Sequence, residues 1–177
     1  MTRKPGSVAR RLLRVPGRLY DMHLGWLLGG RFLRLTHVGR RSGRRYRTVL
    51  EVLGPGPWPG EVVVMAGFGP TADWLLNIQA LPPVEVEIGG ERFQPLARVL
   101  EVGEAAAVLE DYERRNRLLA PVVRRVLSWL VGWRYDGSAA ARDRLVKELP
   151  LVAFRRADWP VVASPPGSAG TAGAGPD

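Results

Sequence analysis

The chain has 177 residues, 46% of them apolar, with no cysteine and a net charge of +9 at pH 7. This length and apolar content suit one domain with terminal extensions and argue against wholesale disorder. Without cysteine there are no disulfides, thiolate nucleophiles or Cys-based zinc sites, and with His23 and His37 as the only histidines a metal centre is not expected.

The front of the chain is strongly basic. Residues 1–50 carry 13 of the 26 Lys and Arg against one acid, Asp21, a net +12, whereas the remainder has 13 bases and 16 acids, a net −3. Such a bias points to an anionic partner: a phosphate, a polyanionic coenzyme, lipid headgroups or nucleic acid. Nearly all the bases are Arg, which suits bidentate phosphate contacts, although a GC-rich genome would give the same bias.

Residues 1–31 form a basic amphipathic N-terminal segment. From Val8 to Leu33 arginines alternate with apolar residues, and Pro16-Gly17 divides the stretch into two short helical pieces. Leu19, Met22, Trp26, Phe32 and Leu33 fall near one helix face. Such a face either rests on an anionic membrane surface or caps the domain, and capping needs no further partner. No run approaches the ~20 apolar residues of a membrane span, and the N-terminus lacks the apolar core of a signal peptide. Cytoplasmic residence is expected, with residues 8–33 offering peripheral association on the inner face of the cell membrane.

Residues 32–158 read as a β-rich domain followed by helices. Phe32–Val38 is a strand, Gly39–Gly43 a turn, and Tyr46–Leu53 a second strand in which Thr48, Leu50 and Val52 alternate with Val49, Glu51 and Leu53. Residues Gly54–Gly60 are a turn-rich connection, Glu61–Ala66 a buried apolar strand, and Gly67-Phe68-Gly69-Pro70 a break. Asp73 is placed to cap a helix from Trp74 to Ala80. Val84–Ile88 alternates like a half-exposed strand, Gly89-Gly90 turns the chain, and Glu91–Val102 continues in strand. Glu104–Leu119, Pro121–Trp133 and Ser138–Glu148 read as helices. In the second, Val122, Val123, Val126, Leu127, Leu130 and Val131 share helical spacing, and Ser138 caps the third. Leu151–Arg155 is a last strand. Residues 159–177 are rich in Pro, Gly, Ser and Ala, and disorder is expected there.

The turn carries the most informative chemistry. Arg40, Arg41, Ser42, Gly43, Arg44, Arg45 and Arg47 place five guanidiniums between two strands. Glycines let backbone N–H groups approach a phosphate, and Arg forks with the Ser42 hydroxyl add charge-assisted hydrogen bonds. The bland alternative is a solvated basic turn. A second segment, Ala66-Gly67-Phe68-Gly69-Pro70 followed by Asp73, Trp74 and Asn77, ends a strand in small residues just before a helix. A flat ring could lie there against backbone amides with Trp74 as a wall, near a helix N-terminus that favours negative charge. Taken alone, this segment reads better as structure, with Trp74 a core aromatic and Asn77 a polar helix position.

Taken together, Gly39-Arg40-Arg41-Ser42-Gly43 with Arg47-Thr48 and Leu50, then Gly67-Phe68-Gly69-Pro70, Asp73-Trp74, Asn77 and Pro83-Val84-Glu85-Val86, resemble the deazaflavin-dependent nitroreductase family over residues 32–155. The resemblance implies an α+β fold, a split β-barrel of the flavin-reductase type with flanking helices. It also implies binding of coenzyme F420, an anionic deazaflavin with a phosphodiester and a polyglutamate tail, and hydride transfer to a quinone, nitroaromatic or similar small electrophile. By the same resemblance Arg40, Arg41, Ser42, Gly43 and Arg47 contact the phosphate or tail, Ala66, Gly67 and Phe68 meet the ring, and Trp74 and Asn77 match the family's helix. The chain departs from the family pattern at Val49, at Leu75 and around Ala66-Gly67, which bears on the ring contacts and the substrate pocket.

No catalytic triad is visible. His37, Tyr46, Tyr112 and Tyr135 are the candidate proton donors, each with a packing role as the alternative. An FMN-binding split barrel would need the same turn, and a non-catalytic coenzyme or apolar-ligand carrier is a further reading. No helix-turn-helix, zinc finger or RNP-like motif is present, so nucleic acid is not expected as a partner. A homodimer is compatible with the sequence.

Overall fold

The computed structural model describes residues 30–158; the N-terminal segment up to residue 29 and the tail from residue 159 lie outside the described residues, and with them most of the expected amphipathic segment. Seven strands form one antiparallel row: β1 (Phe32–Val38), β2 (Arg45–Pro55), β3 (Val62–Met65), β4 (Glu85–Ile88), β5 (Glu91–Phe93), β6 (Pro95–Val99) and β7 (Leu151–Arg156). Their order is β5-β4-β1-β2-β3-β7-β6. The two ends of that row are joined through the single residue Gln94, whose carbonyl accepts from Ala157 N at 2.9 Å. The sheet therefore rolls into a nearly closed split barrel, which removes most of its exposed edge.

Among the described residues four helices accompany the barrel: α1 (Asp73–Ala80), α2 (Val102–Arg115), α3 (Ala120–Val131) and α4 (Ala139–Glu148), with a 3-10 turn at Arg117–Leu119. Period two explains why β3 and the first four residues of β7, Leu151–Phe154, are all apolar. Val63, Leu151 and Ala153 face a cluster with Val108 and Leu109 of α2, Leu127 of α3 and Leu145 of α4. Their neighbours Val64, Val152 and Phe154 face a second cluster with Leu33, Leu35, Val86, Trp74 and Leu75. Both faces of these strands are buried, so no polar alternation survives.

Several boundaries differ from the sequence expectation for identifiable reasons. β2 runs on to Pro55 because it pairs with β1 up to Glu51 and with β3 from Val52, a pairing whose register shifts between Val52 and Gly54. The expected strand Glu91–Val102 breaks at Gln94 and stops at Val99. Glu101 there opens α2 by donating its N–H to Glu104 Oε2 at 3.1 Å, a capping interaction at the third helical position. α2 ends at Arg115, short of the expected Leu119, with Asn116 at its C-cap, and α3 ends at Val131, where the C-cap Gly132 adopts a left-handed conformation at φ 77°. Ser138 does cap α4, accepting from Ala141 N at 3.2 Å. Glu87, expected on a half-exposed strand, is buried instead: it sits opposite Arg34 in the β1–β4 register and pairs with it, with Arg92 adding a second contact at 3.2 Å.

Candidate functional site

The turn between β1 and β2 faces the first turn of α1 across a cavity of about 520 Å3. Its walls include Arg40, Arg41, Ser42, Arg47, Phe68, Trp74 and Asn77, seven of the ten residues expected to hold a coenzyme. His37, Gly39, Tyr46, Thr48, Ala72 and Asp73 complete it. Gly43, Ala66 and Gly67 do not line it. Gly43 shapes the turn, at φ 66° with its N–H donating to Gly39 O at 2.8 Å. Ala66 is fully buried in the barrel cluster beneath.

The turn is tight for a local reason. Gly39 N donates to Arg44 O at 2.8 Å, and a Cβ on Gly39 would lie 2.6 Å from both Ser42 Oγ and Tyr46 Cε2. Glycine at this position lets the Tyr46 ring fold over the turn, where its hydroxyl meets Ser42 Oγ at 3.1 Å.

Asn77 ties the turn to α1. Its Oδ1 accepts from Arg40 N at 3.0 Å and from Arg40 Nη1 at 2.9 Å, and the same guanidinium reaches Asp73 Oδ1 at 3.1 Å. Asp73 was expected as the helix cap; it is instead the first helical residue, with Ala72 at the cap and no side-chain capping bond, because its carboxylate takes the cation. With Oδ1 committed to Arg40, Asn77 Nδ2 faces His37 Nδ1 at 3.1 Å and donates to it. His37 Nδ1 is therefore the acceptor and Nε2 carries the proton, donating to Thr48 Oγ1 at 3.2 Å. Burial holds the His37 imidazole below its usual range, against a smaller opposing pull from Asp73. The ring is a neutral structural relay stacked near Tyr46, with centroids 6.0 Å apart.

Arg41 and Arg47 differ from Arg40. Both line the cavity, both are exposed, and neither forms an ion pair among the described residues. Two uncommitted guanidiniums beside one neutralised by Asp73 leave the mouth positive. Such a site attracts an anion and recognises it by bidentate hydrogen bonds. Trp74, buried, and Phe68, exposed, add aromatic surface to the same space.

Tyr112 and Tyr135 lie elsewhere. Tyr112 donates to Glu51 Oε1 at 3.1 Å, and burial together with Glu51 pushes its hydroxyl up to about 12. Tyr135 is buried in the helical cluster, where burial and Glu113 push it up further still. Neither reaches the cavity. Of the residues that sequence reasoning did not single out for binding, Gly39 and Thr48 were within the quoted motif, and Ala72 carried no signal. Among the described residues no group of three or more His, Cys, Asp or Glu is placed to hold a metal ion.

A model of the F420H(2)-dependent quinone reductase family matches residues 17–121. No curated protein matches the chain. Among solved structures, one titled an F420-H2 dependent reductase (FDR-A) is 22% identical at a TM-score of 0.40, covering 71% of this chain and 94% of that one. An FMN-binding protein related to pyridoxamine 5'-phosphate oxidase, from Nostoc punctiforme PCC 73102, is 15% identical at a TM-score of 0.41, covering 81% and 80%. A protein of unknown function from Agrobacterium tumefaciens str. C58 is 12% identical at 0.44, covering 81% and 55%.

Proposed function

Because this chain belongs to the F420H2-dependent quinone reductase family, we propose that it holds coenzyme F420 in the cavity between the β1–β2 turn and α1 and passes reducing equivalents from it to a quinone. The chain is an oxidoreductase and its cofactor is coenzyme F420. The observation that carries the site assignment is the pair of uncommitted guanidiniums, Arg41 and Arg47, on a turn that Asn77 locks in place through Arg40.

The residues present suit such a cofactor. A phosphodiester and carboxylate tail is polyanionic, and the cavity offers Arg41, Arg47 and the Ser42 hydroxyl for it, with one acid, Asp73, already paired to Arg40. When bound, the reduced deazaflavin supplies a hydride. The chain's own part is to bind, orient and exclude. Arg41 and Arg47 neutralise the tail. Asn77 and Arg40 keep the turn from moving. Trp74, anchored in the core, gives the cavity a rigid wall. His37 holds its proton on Nε2 toward Thr48 and so is not the proton donor. The Tyr46 hydroxyl is the side-chain acid on the cavity wall closest in kind to a substrate-side donor.

The test is a titration of the full chain with oxidised F420 and with FMN, followed by tryptophan quenching. Saturable F420 binding is expected, with roughly hundredfold loss of affinity at low salt in the Arg41→Gln/Arg47→Gln double variant. An unchanged affinity in that variant would overturn the site, and binding of FMN alone would overturn the cofactor assignment at this cavity. Consumption of reduced F420 in the presence of a soluble naphthoquinone then tests the acceptor.

A further inference from the structure

A second surface of this molecule is built in a way that folding alone does not explain. α3 turns Leu127 into the helical cluster, with Val123, Leu130 and Val131 packed against it. The sequence pattern places Val122 and Val126 with these core residues. The structure turns them outward: Val122 is 60% and Val126 50% exposed. Together with Leu118 at 89%, Leu119 at 48% and Trp129 at 46%, they form an apolar ridge along the 3-10 turn and α3. The spacing 118, 122, 126, 129 puts the ridge on one side of the helix. An apolar stripe of this length in water is unfavourable unless something covers it.

The charge around the ridge says what covers it. From Arg114 to Tyr135 the chain carries six arginines, at 114, 115, 117, 124, 125 and 134, and no acid. Arg114 is balanced by Asp111 and Arg124 by Glu113, whereas Arg117 and Arg125 form no ion pair among the described residues. A protein partner of ordinary mixed charge would not need this. An anionic bilayer does: apolar side chains and an amphipathic Trp enter the interface while flanking arginines meet phosphates. No helix of the described residues is long and apolar enough to cross a membrane, so the contact is peripheral. We propose that the ridge Leu118, Leu119, Val122, Val126 and Trp129, flanked by Arg117 and Arg125, docks the protein on the surface of an anionic phospholipid membrane. This inference stands on the surface alone; where the quinone reading also holds, docking brings the protein to a phase in which apolar quinones dissolve.

Sedimentation of the full chain with phosphatidylglycerol-containing vesicles, without coenzyme or quinone, tests it. The wild type is expected to partition onto these vesicles and not onto pure phosphatidylcholine. Val122→Glu/Val126→Glu and, separately, Arg117→Gln/Arg125→Gln are each expected to lower partitioning by about tenfold or more. All four positions are exposed, and unchanged thermal unfolding confirms that the variants fold. In vesicles of brominated lipid, part of the tryptophan fluorescence is quenched, and Trp129→Phe removes that part. Partitioning unchanged by both double variants, or quenching unchanged by Trp129→Phe, would overturn the proposal. So would absence of vesicle binding with a concentration-dependent dimer that Val122→Glu/Val126→Glu converts to monomer, which would make the ridge an interface between copies. None of these outcomes bears on the coenzyme titration, so the two readings fail independently.

Discussion

Replacing Asn77 by Leu removes a hydrogen-bonding hub while nearly conserving volume. Three bonds go: two from Arg40 to Oδ1, at 3.0 and 2.9 Å, and one from Nδ2 to His37 Nδ1 at 3.1 Å. The guanidinium keeps Asp73 at 3.1 Å, and that carboxylate is largely exposed, so its share of the loss is small. The Arg40 N–H and His37 Nδ1 are left without their partners in a half-dry space. A buried polar group without a partner costs about 1–3 kcal/mol, so the variant should lose about 2–5 kcal/mol of stability. With a urea dependence of about 2 kcal/mol per molar, the unfolding midpoint falls by about 1–2.5 M, read by tryptophan fluorescence. Coenzyme affinity should fall as well. A turn no longer pinned at Arg40 must be ordered on binding, and fixing one residue's backbone costs about 1–2 kcal/mol, roughly tenfold in affinity. Asn77→Asp is the informative contrast. Its carboxylate still accepts from Arg40, so stability at neutral pH should stay within about 1 kcal/mol of wild type. An oxygen then faces His37 Nδ1, and the imidazole must take a proton there, so its titration should move upward in an NMR experiment with His23 replaced for assignment. An Asn77→Leu midpoint within about 0.5 kcal/mol of wild type would refute the idea that this relay holds the turn.

The other expectations follow from the same geometry. Arg41→Gln and Arg47→Gln should leave unfolding within about 0.5 kcal/mol of wild type, because neither side chain has an ion-pair partner among the described residues. Each should weaken F420 binding roughly tenfold at low salt and less at about 0.5 M salt, as titrations at both strengths would show. Gly39→Ala places a Cβ 2.6 Å from Ser42 Oγ and Tyr46 Cε2; overpacking of this sort costs about 1–3 kcal/mol in a urea melt and should displace the Tyr46 ring. His37 titrates below its ordinary 6.5 in the folded protein. Its contribution to stability is therefore complete above that pH and is lost as pH falls from there through the folded value, where the unfolded chain binds the proton more readily. Urea midpoints between about pH 5 and 7.5 should fall toward acid less steeply in His37→Gln than in wild type.

The barrel strands were largely legible because period two is a local signal. Phe32–Val38 reads from its own residues, and its observed bounds agree. What escaped is set by contacts distant in sequence. The barrel closes at Gln94, in the middle of what reads as one strand, since nothing local says that Phe93 and Pro95 belong to opposite ends of the row. The burial of Glu87 depends on Arg34 across the β1–β4 register. On α3 the apolar positions 122, 123, 126, 127, 130 and 131 spread over about half the circumference of the helix, so periodicity alone cannot choose which of them face inward. The outward turn of Val122 and Val126 is decided by which neighbours arrive, and Leu127 wins the core.

At the site the difficulty is subtler, because one sequence motif mixes three physical roles. Arg40, Arg41 and Arg47 look alike in the chain, yet Arg40 is held by Asn77 and Asp73 while the other two stay uncommitted at the cavity. Gly43 shapes the turn and Ala66 supports it from the core, although both sit among the residues that resemble contacts. The distinction comes from α1, which begins 33 residues after Arg40 and delivers Asp73 and Asn77 to one edge of the turn only. Of the five guanidiniums of the turn, Arg40 is therefore paired with Asp73, and of the other four only Arg41 and Arg47 line the cavity. In the proposed coenzyme complex the charged tail would therefore meet Arg41 and Arg47, and the space walled by Trp74 and Phe68 would take the flat, less charged ring.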